Sequence, residues 1–148
     1  MDIIKSVDNP KVKHAVKLRQ SAKLRREEGL FFLEGLRLCL DAARVGIATE
    51  TVFYTEKFKT DFPDELNILL ASSSNAYEVS GGVINKMSDT VTPQGVITLV
   101  KMPNAKPLTA EDGLFVALNK IQDPKNLGAI SRSAEALGAK GIILSADS

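Results

Sequence analysis

One stretch of this chain combines residue types and spacing suited to chemistry. Residues 123–139 read Asp-Pro-Lys-Asn-Leu-Gly-Ala-Ile-Ser-Arg-Ser-Ala-Glu-Ala-Leu-Gly-Ala. Asp123-Pro124 sets a turn. Asn126 is expected to cap the helix that follows, leaving free backbone N–H groups as a natural anion site. Gly128 removes a side chain in the first turn, so another group can come close to the backbone. Leu127, Ile130, Ala134 and Leu137 recur at helical spacing and predict a core-facing stripe. Arg132 lies off that stripe. A guanidinium there can hold a phosphate or polarise a ribose oxygen. The plainer reading of the same residues is a crossover helix with Arg132 paired to Glu135 on its surface.

The second chemical signal is charge. The formal net charge of +1 over 148 residues hides an asymmetry. Residues 1–26 carry eight Lys/Arg (Lys5, Lys11, Lys13, Lys17, Arg19, Lys23, Arg25, Arg26) against two acids, a net +6. The remainder carries eleven basic and sixteen acidic residues, a net −5. A basic arm on an acidic body points to a polyanionic partner, set against the duller reading of a solvated helix face.

The elements that must position these residues follow from pattern. Asn9-Pro10 fits a helix start. Val12, Ala15, Val16 and Leu18 supply its apolar stripe, and Lys13 and Lys17 share a face. A second helix spans 22–28 and stops at Gly29. Leu30–Leu33 reads as a buried strand ending at Glu34-Gly35, where the backbone needs glycine. Leu36, Cys39, Leu40 and Ala43 mark a helix with one buried side, with Gly46 beyond it. Strands are expected at 51–54, 76–79 and 95–100, and helices at 64–70 and 83–87. Gln94-Gly95 reads as the turn into the last of these strands. Regular alternation of helix and strand predicts a layered α/β domain with much parallel pairing. Pro103-Asn104-Ala105-Lys106-Pro107 reads as a linker. Beyond it a strand at 114–118, a helix at 127–137 closed by Gly138, and a strand at 141–144 form one βαβ unit. Such a unit alone cannot bury both faces of its sheet.

Composition excludes several classes. No apolar run approaches the roughly 20 residues of a membrane span, the N-terminus lacks a signal-peptide core, and a cytoplasmic protein is the plain reading. The single cysteine, Cys39, forms no internal disulfide and lies on an apolar stripe, so it reads as core. One histidine, His14, makes no metal site. The Gly-x-Gly-x-x-Gly turn of a dinucleotide-binding oxidoreductase is missing, since Gly128 stands alone there.

Residues 123–139 closely resemble the first signature motif of the SpoU (TrmH-like) family of RNA methyltransferases, with its Asn-Leu-Gly-Ala-Ile-x-Arg-Ser-Ala core. Further segments in family order resemble its N-terminal substrate-binding domain: Ser6-x-x-Asn9-Pro10-x-Val12-Lys13, Arg25-Arg26-Glu27-Glu28-Gly29, Glu34-Gly35-x-Arg37 and Ser88-x-Thr90-x-Thr92-Pro93-Gln94-Gly95. The resemblance implies an α/β chain with a ribosomal-protein-like α/β sandwich domain over 1–102, a linker over 103–112, and the first βαβ unit of a knotted (SPOUT) α/β methyltransferase domain over 113–148. It implies methyl transfer from S-adenosylmethionine to a ribose 2′-hydroxyl, with Arg132 helping to activate the hydroxyl and Asn126 beside it. Ribosomal or transfer RNA is the implied partner, the extra N-terminal domain leaning toward ribosomal RNA. Lys11, Lys13, Lys17, Arg25, Arg26 and Arg37 are the expected RNA-binding residues. The family's later motifs, which form the knot and the donor pocket, are not in the sequence. The donor site is therefore expected beyond residue 148, no donor-binding residue is assigned here, and the 148-residue chain is expected to be inactive alone. The complete protein is expected to be a homodimer. The alternative is a non-catalytic RNA-binding module.

Overall fold

Asn9 and Pro10 start the first helix as their types predict. In the computed structural model, which describes residues 3–103 and 112–148, Asn9 Oδ1 accepts the Lys11 N–H at 2.9 Å and Pro10 fills the first helical position of α1 (Pro10–Gln20). Ser21 then ends α1 and caps α2 (Ala22–Glu28), its Oγ accepting the Leu24 N–H at 3.1 Å. The chain divides into two units, 1–104 and 105–148. Residues 104–111 of the expected linker lie outside the described residues.

In the first unit β1 (Leu30–Glu34), α3 (Leu36–Arg44), β2 (Thr49–Tyr54), α4 (Glu56–Asp61), α5 (Pro63–Ala71), β3 (Ser73–Glu78), α6 (Gly81–Met87) and β4 (Val96–Lys101) follow in order. Helix α4 is absent from the sequence reading. It has six residues and buries only Phe58, too little for a periodic signal. The Thr55 hydroxyl, which accepts the Phe58 N–H at 3.2 Å, was its available sign.

The sheet order is β1-β4-β2-β3. This corrects the expectation of much parallel pairing: β2 and β3 are parallel, but β4 pairs antiparallel with both β1 and β2. The helical crossovers do return β1, β2 and β3 in one direction, as alternation predicts. The last strand then inserts between β1 and β2 from the opposite end, and local pattern carries no information about that choice. Five of the six residues of β4 are buried, as a central strand requires.

Alternation along the central strands feeds two cores. Phe53, Ile97 and Leu99 pack with Val12, Ala15 and Leu18 of α1 and with Val83 and Met87 of α6. Val52, Tyr54 and Val96 pack on the other side with Cys39, Leu40, Phe58 and Leu69. Each fully buried aliphatic or aromatic side chain contributes about 1.5–3 kcal/mol. Cys39 is core, as expected. Burial pushes its thiol up to about 11, against a hydrogen bond from Thr98 that works the other way.

The second unit is β5 (Phe115–Leu118), α7 (Pro124–Ala136) and β6 (Gly141–Leu144), with β5 and β6 parallel. Two readings of α7 are corrected. Asp123, rather than Asn126, is the cap: its side chain accepts the Lys125 N–H at 2.8 Å, so the helix begins three residues early and Asn126 lies inside it. Gly128 accordingly sits in the second turn. Leu137 leaves the expected stripe and is 76% exposed, because the helix ends there in a left-handed turn at Gly138. No described helix is long and apolar enough to cross a membrane.

Gly95 shows how tightly the entry to β4 is made. Its φ is +88°, and a Cβ there would sit 2.5 Å from Thr55 Oγ1, the atom that caps α4. Gly95→Ala should destabilise the protein by about 2–4 kcal/mol, from backbone strain and the lost cap together. Urea unfolding measures this, and an unchanged midpoint would contradict the packing described.

Candidate nucleic-acid interface and catalytic turn

Strands β1, β2 and β3 all end where β4 begins, so one end of the sheet gathers Glu34-Gly35, Thr55, Glu78 and Gln94-Gly95. The pairings Glu34 with Ile97 and Tyr54 with both Val96 and Glu78 fix this. Two of the segments singled out in the sequence therefore meet in space. Glu34 is their junction. Its carboxylate accepts hydrogen bonds from the Ser88 hydroxyl, from Thr90 Oγ1 at 2.6 Å and from the Asp89 N–H at 3.0 Å. Burial alone would raise the Glu34 carboxyl; the Asp89 N–H and the two hydroxyls outweigh it and hold the group below the usual carboxylate range. Gly35 turns the chain at φ +93°. Gln94 Oε1 accepts the Leu36 N–H at 2.9 Å and thereby supplies the cap that Gly35 lacks.

The basic arm reaches the same segment. Arg19 Nη1 donates to the carbonyls of Met87, at 3.1 Å, and Ser88, closing the C-terminus of α6. Arg25 Nη1 donates to the carbonyls of Leu18 and Arg19 at 2.7 and 2.8 Å, closing the C-terminus of α1. Both arginines are partly buried. The sequence reading missed Arg19 and Gln94 as positioning groups. Arg19 did leave a sign: with Val12, Ala15 and Val16 it completes an i, i+3, i+4, i+7 set, so a cation stands on the buried stripe.

The other expected RNA-binding residues are exposed. Lys11 lies over the Tyr77 ring at 4.9 Å. Lys13 pairs with Asp8 at 2.7 Å and Arg37 with Asp41 at 3.8 Å, surface pairs of small net worth that a phosphate can displace. Lys17 and Arg26 make no ion pair among the described residues. Lys17 and Lys23 line a shallow groove of about 320 Å³ between α1 and α2.

In the second unit Asn126 and Arg132 are both exposed on α7. The surface pair between Arg132 and Glu135 does not occur, and Arg132 has no hydrogen-bond or ion-pair partner among the described residues. Its Nη1 lies 3.8 Å from where a Cβ at Gly128 would be, so the group that approaches the bare backbone of Gly128 is Arg132 itself. Beyond the strand ends, Lys120 N donates to Ser145 Oγ at 2.9 Å, Ile121 N to Ser148 Oγ at 3.2 Å and Gln122 Nε2 to the Asp147 carbonyl at 2.7 Å. These groups satisfy one another.

The first unit thus presents a basic helix pair on an α/β sandwich, and the second is a βαβ unit whose helix carries an arginine without an ion-pair partner among the described residues. Residues 9–98 match the MRM3-like substrate binding domain, and the chain belongs to that family. It is 38% identical over 147 residues to a protein of Synechocystis sp. named as a tRNA/rRNA methyltransferase, covering 97% of this chain and 53% of that one. It is 32% identical over 145 residues to the 23S rRNA (guanosine(2553)-2′-O)-methyltransferase RlmP of Bacillus subtilis, covering 97% and 54%. Among solved structures, an rRNA methyltransferase from Sinorhizobium meliloti superposes with a TM-score of 0.81 at 32% identity, covering 97% of this chain and 54% of that one. An AdoMet-bound rRNA methyltransferase from Sinorhizobium meliloti superposes with a TM-score of 0.80 at 32% identity, covering 97% of this chain and 54% of that one. The chain spans about half the length of these two curated relatives.

The Glu34 junction has a pH signature. A carboxyl held below its unfolded value stabilises the fold above the ordinary carboxylate range, and that contribution is lost as pH falls through its lowered value. Glu34→Gln should therefore cost about 1–2 kcal/mol at neutral pH. The gap from wild type in urea midpoint should narrow steadily as pH falls through and below the ordinary carboxylate range. A gap that persists unchanged in acid would show that the charge is not what holds residues 88–90.

Proposed function

We propose that this chain is the RNA-binding part and first catalytic motif of an S-adenosylmethionine-dependent RNA methyltransferase. Its substrate is a ribose 2′-hydroxyl of ribosomal RNA, and it acts in the cytoplasm, the complete protein being a homodimer. The observation that carries this reading is the exposed Arg132, without a hydrogen-bond or ion-pair partner among the described residues, on a helix whose Asn-Leu-Gly-Ala-Ile-x-Arg-Ser-Ala sequence matches the SpoU motif, in a chain that belongs to the MRM3-like substrate binding family.

The first unit supplies affinity. Lys11, Lys13 and Lys17 on α1 and Arg26 on α2 meet the phosphate backbone, and Arg37 extends the contact at the start of α3. Arg25 contributes chiefly by closing α1, with its remaining nitrogens available to phosphate. The second unit supplies chemistry. A 2′-hydroxyl is a poor nucleophile that develops negative charge as it attacks. Arg132 stabilises that charge and orients the oxygen, and Asn126, about one and two-thirds turns earlier on the same helix, helps to hold the ribose. A guanidinium stays protonated, so the proton leaves to another acceptor.

S-adenosylmethionine supplies the electrophilic methyl group. The polar groups at the ends of β5 and β6 are bonded to one another, and no residue of this chain is assigned to hold it. The donor is held by other parts of the complete enzyme.

In the complete enzyme, Arg132→Ala should lower methylation of the target ribose by about 100-fold or more while RNA affinity changes little. Single-turnover methylation with labelled donor, beside filter binding, measures both. Near-normal turnover would remove Arg132 from the mechanism.

A further inference from the structure

We propose that the cleft at the end of the first unit's sheet takes one unpaired nucleotide of the RNA, a proposal that rests on the RNA reading above. The cleft measures about 690 Å³, within the range that holds a nucleotide-sized ligand. It opens beside the Glu34 junction, and residues 93–95 form one of its walls.

Its chemistry favours a base over a phosphate cluster. Phe62, Ile84 and Pro93 give apolar surface for a ring, and Asn85 and Gln94 bring side-chain amides that can read a base edge. Asn85 is exposed and makes no hydrogen bond among the described residues. Gln94 is anchored through Oε1 by the Leu36 N–H, which leaves its amide nitrogen available. Two lysines, Lys5 and Lys57, line the cleft against three acids, Glu56, Asp61 and Glu78. Lys57 pairs with Asp61 at 2.5 Å and Lys59 with Glu78 at 3.7 Å. A lining with no surplus of positive charge suits a neutral heterocycle, while the phosphates are met by the lysines of α1.

Gly81 points the same way. It lines the cleft as the first residue of α6, has no positive φ, and nothing lies within 4 Å of where its Cβ would be. Neither backbone nor neighbours require glycine there, and a side chain at that position would enter open space. Residues 93–95 are held through Gln94, whose Oε1 accepts the Leu36 N–H, and through Gly95, whose carbonyl accepts the Thr55 N–H at 2.9 Å.

The test compares an RNA hairpin carrying an unpaired tetraloop with a blunt duplex of the same nucleotide count, each titrated into the 148-residue chain. The hairpin should bind about tenfold more tightly, as expected for one stacked base. It should shift the backbone amide resonances of Gly81 and Gly95 and the side-chain amide of Asn85, and the duplex should leave these unmoved. Gly81→Leu, which fills the cleft, should erase the hairpin preference without lowering the thermal midpoint or the duplex affinity. Asn85→Ala, at an exposed site, should reduce the preference and serves as the check should the first variant fold poorly. Equal binding of hairpin and duplex by wild type, or full preference retained by the variants, overturns the cleft and leaves the RNA reading standing. A free mononucleotide bound as tightly as the hairpin overturns it in favour of a small-molecule site. Binding of neither RNA overturns both readings.

Discussion

The first unit depends on the fixing of residues 88–95, the segment that carries the chain from the end of α6 into the middle of the sheet. Strand β4 has neighbours on both sides, so any slip at its entry would move side chains out of two cores at once. The segment is held from three directions. Glu34 receives Ser88, Asp89 and Thr90; Arg19 closes on the carbonyls of Met87 and Ser88; Gln94 reaches to the N-terminus of α3. Gly95 then makes the last turn against Thr55. Polar groups are used here where apolar ones would not serve, because the contacts must satisfy backbone atoms at helix ends as well as fix a position.

This explains a division of labour within the basic arm. Charge counting treats all eight N-terminal cations alike, but geometry separates them. Arg19 and Arg25 spend hydrogen bonds on main-chain carbonyls inside the unit. Lys11, Lys13, Lys17 and Arg26 remain at the surface. A guanidinium suits the first task because its planar fork can serve two carbonyls, and an ammonium on a flexible stem suits the second. In the second unit Arg132 has neither use within its own described surroundings, which is why a role in substrate chemistry is assigned to it.

Much of this was legible in the sequence where the cause is local. Asn9-Pro10, the stop at Gly29 and the strand at 141–144 follow from residues that act on their own backbone. The meeting of Glu34-Gly35 with residues 88–95 was foreshadowed by both being motif segments, though nothing in either names the other. What the sequence could not carry was choice among distant partners: β4 between β1 and β2, or Arg19 on α6. The cap of α7 was misplaced for a smaller reason. Asp123 and Asn126 are both good capping residues, and Pro124 at the first helical position decides for Asp123. Helix α4 was too short to leave a period.

The claim underneath the whole account is that the lysine face of α1 holds RNA by its phosphates. The most direct measurement is the salt dependence of binding to a ribosomal RNA fragment, for wild type and for a chain carrying Lys11→Ala, Lys13→Ala and Lys17→Ala together. Each lost phosphate contact should flatten the slope of log affinity against log salt by about 0.7–0.9, so the triple variant should bind more weakly and with a slope smaller by about 2–3. An unchanged slope and affinity would contradict the account at its root.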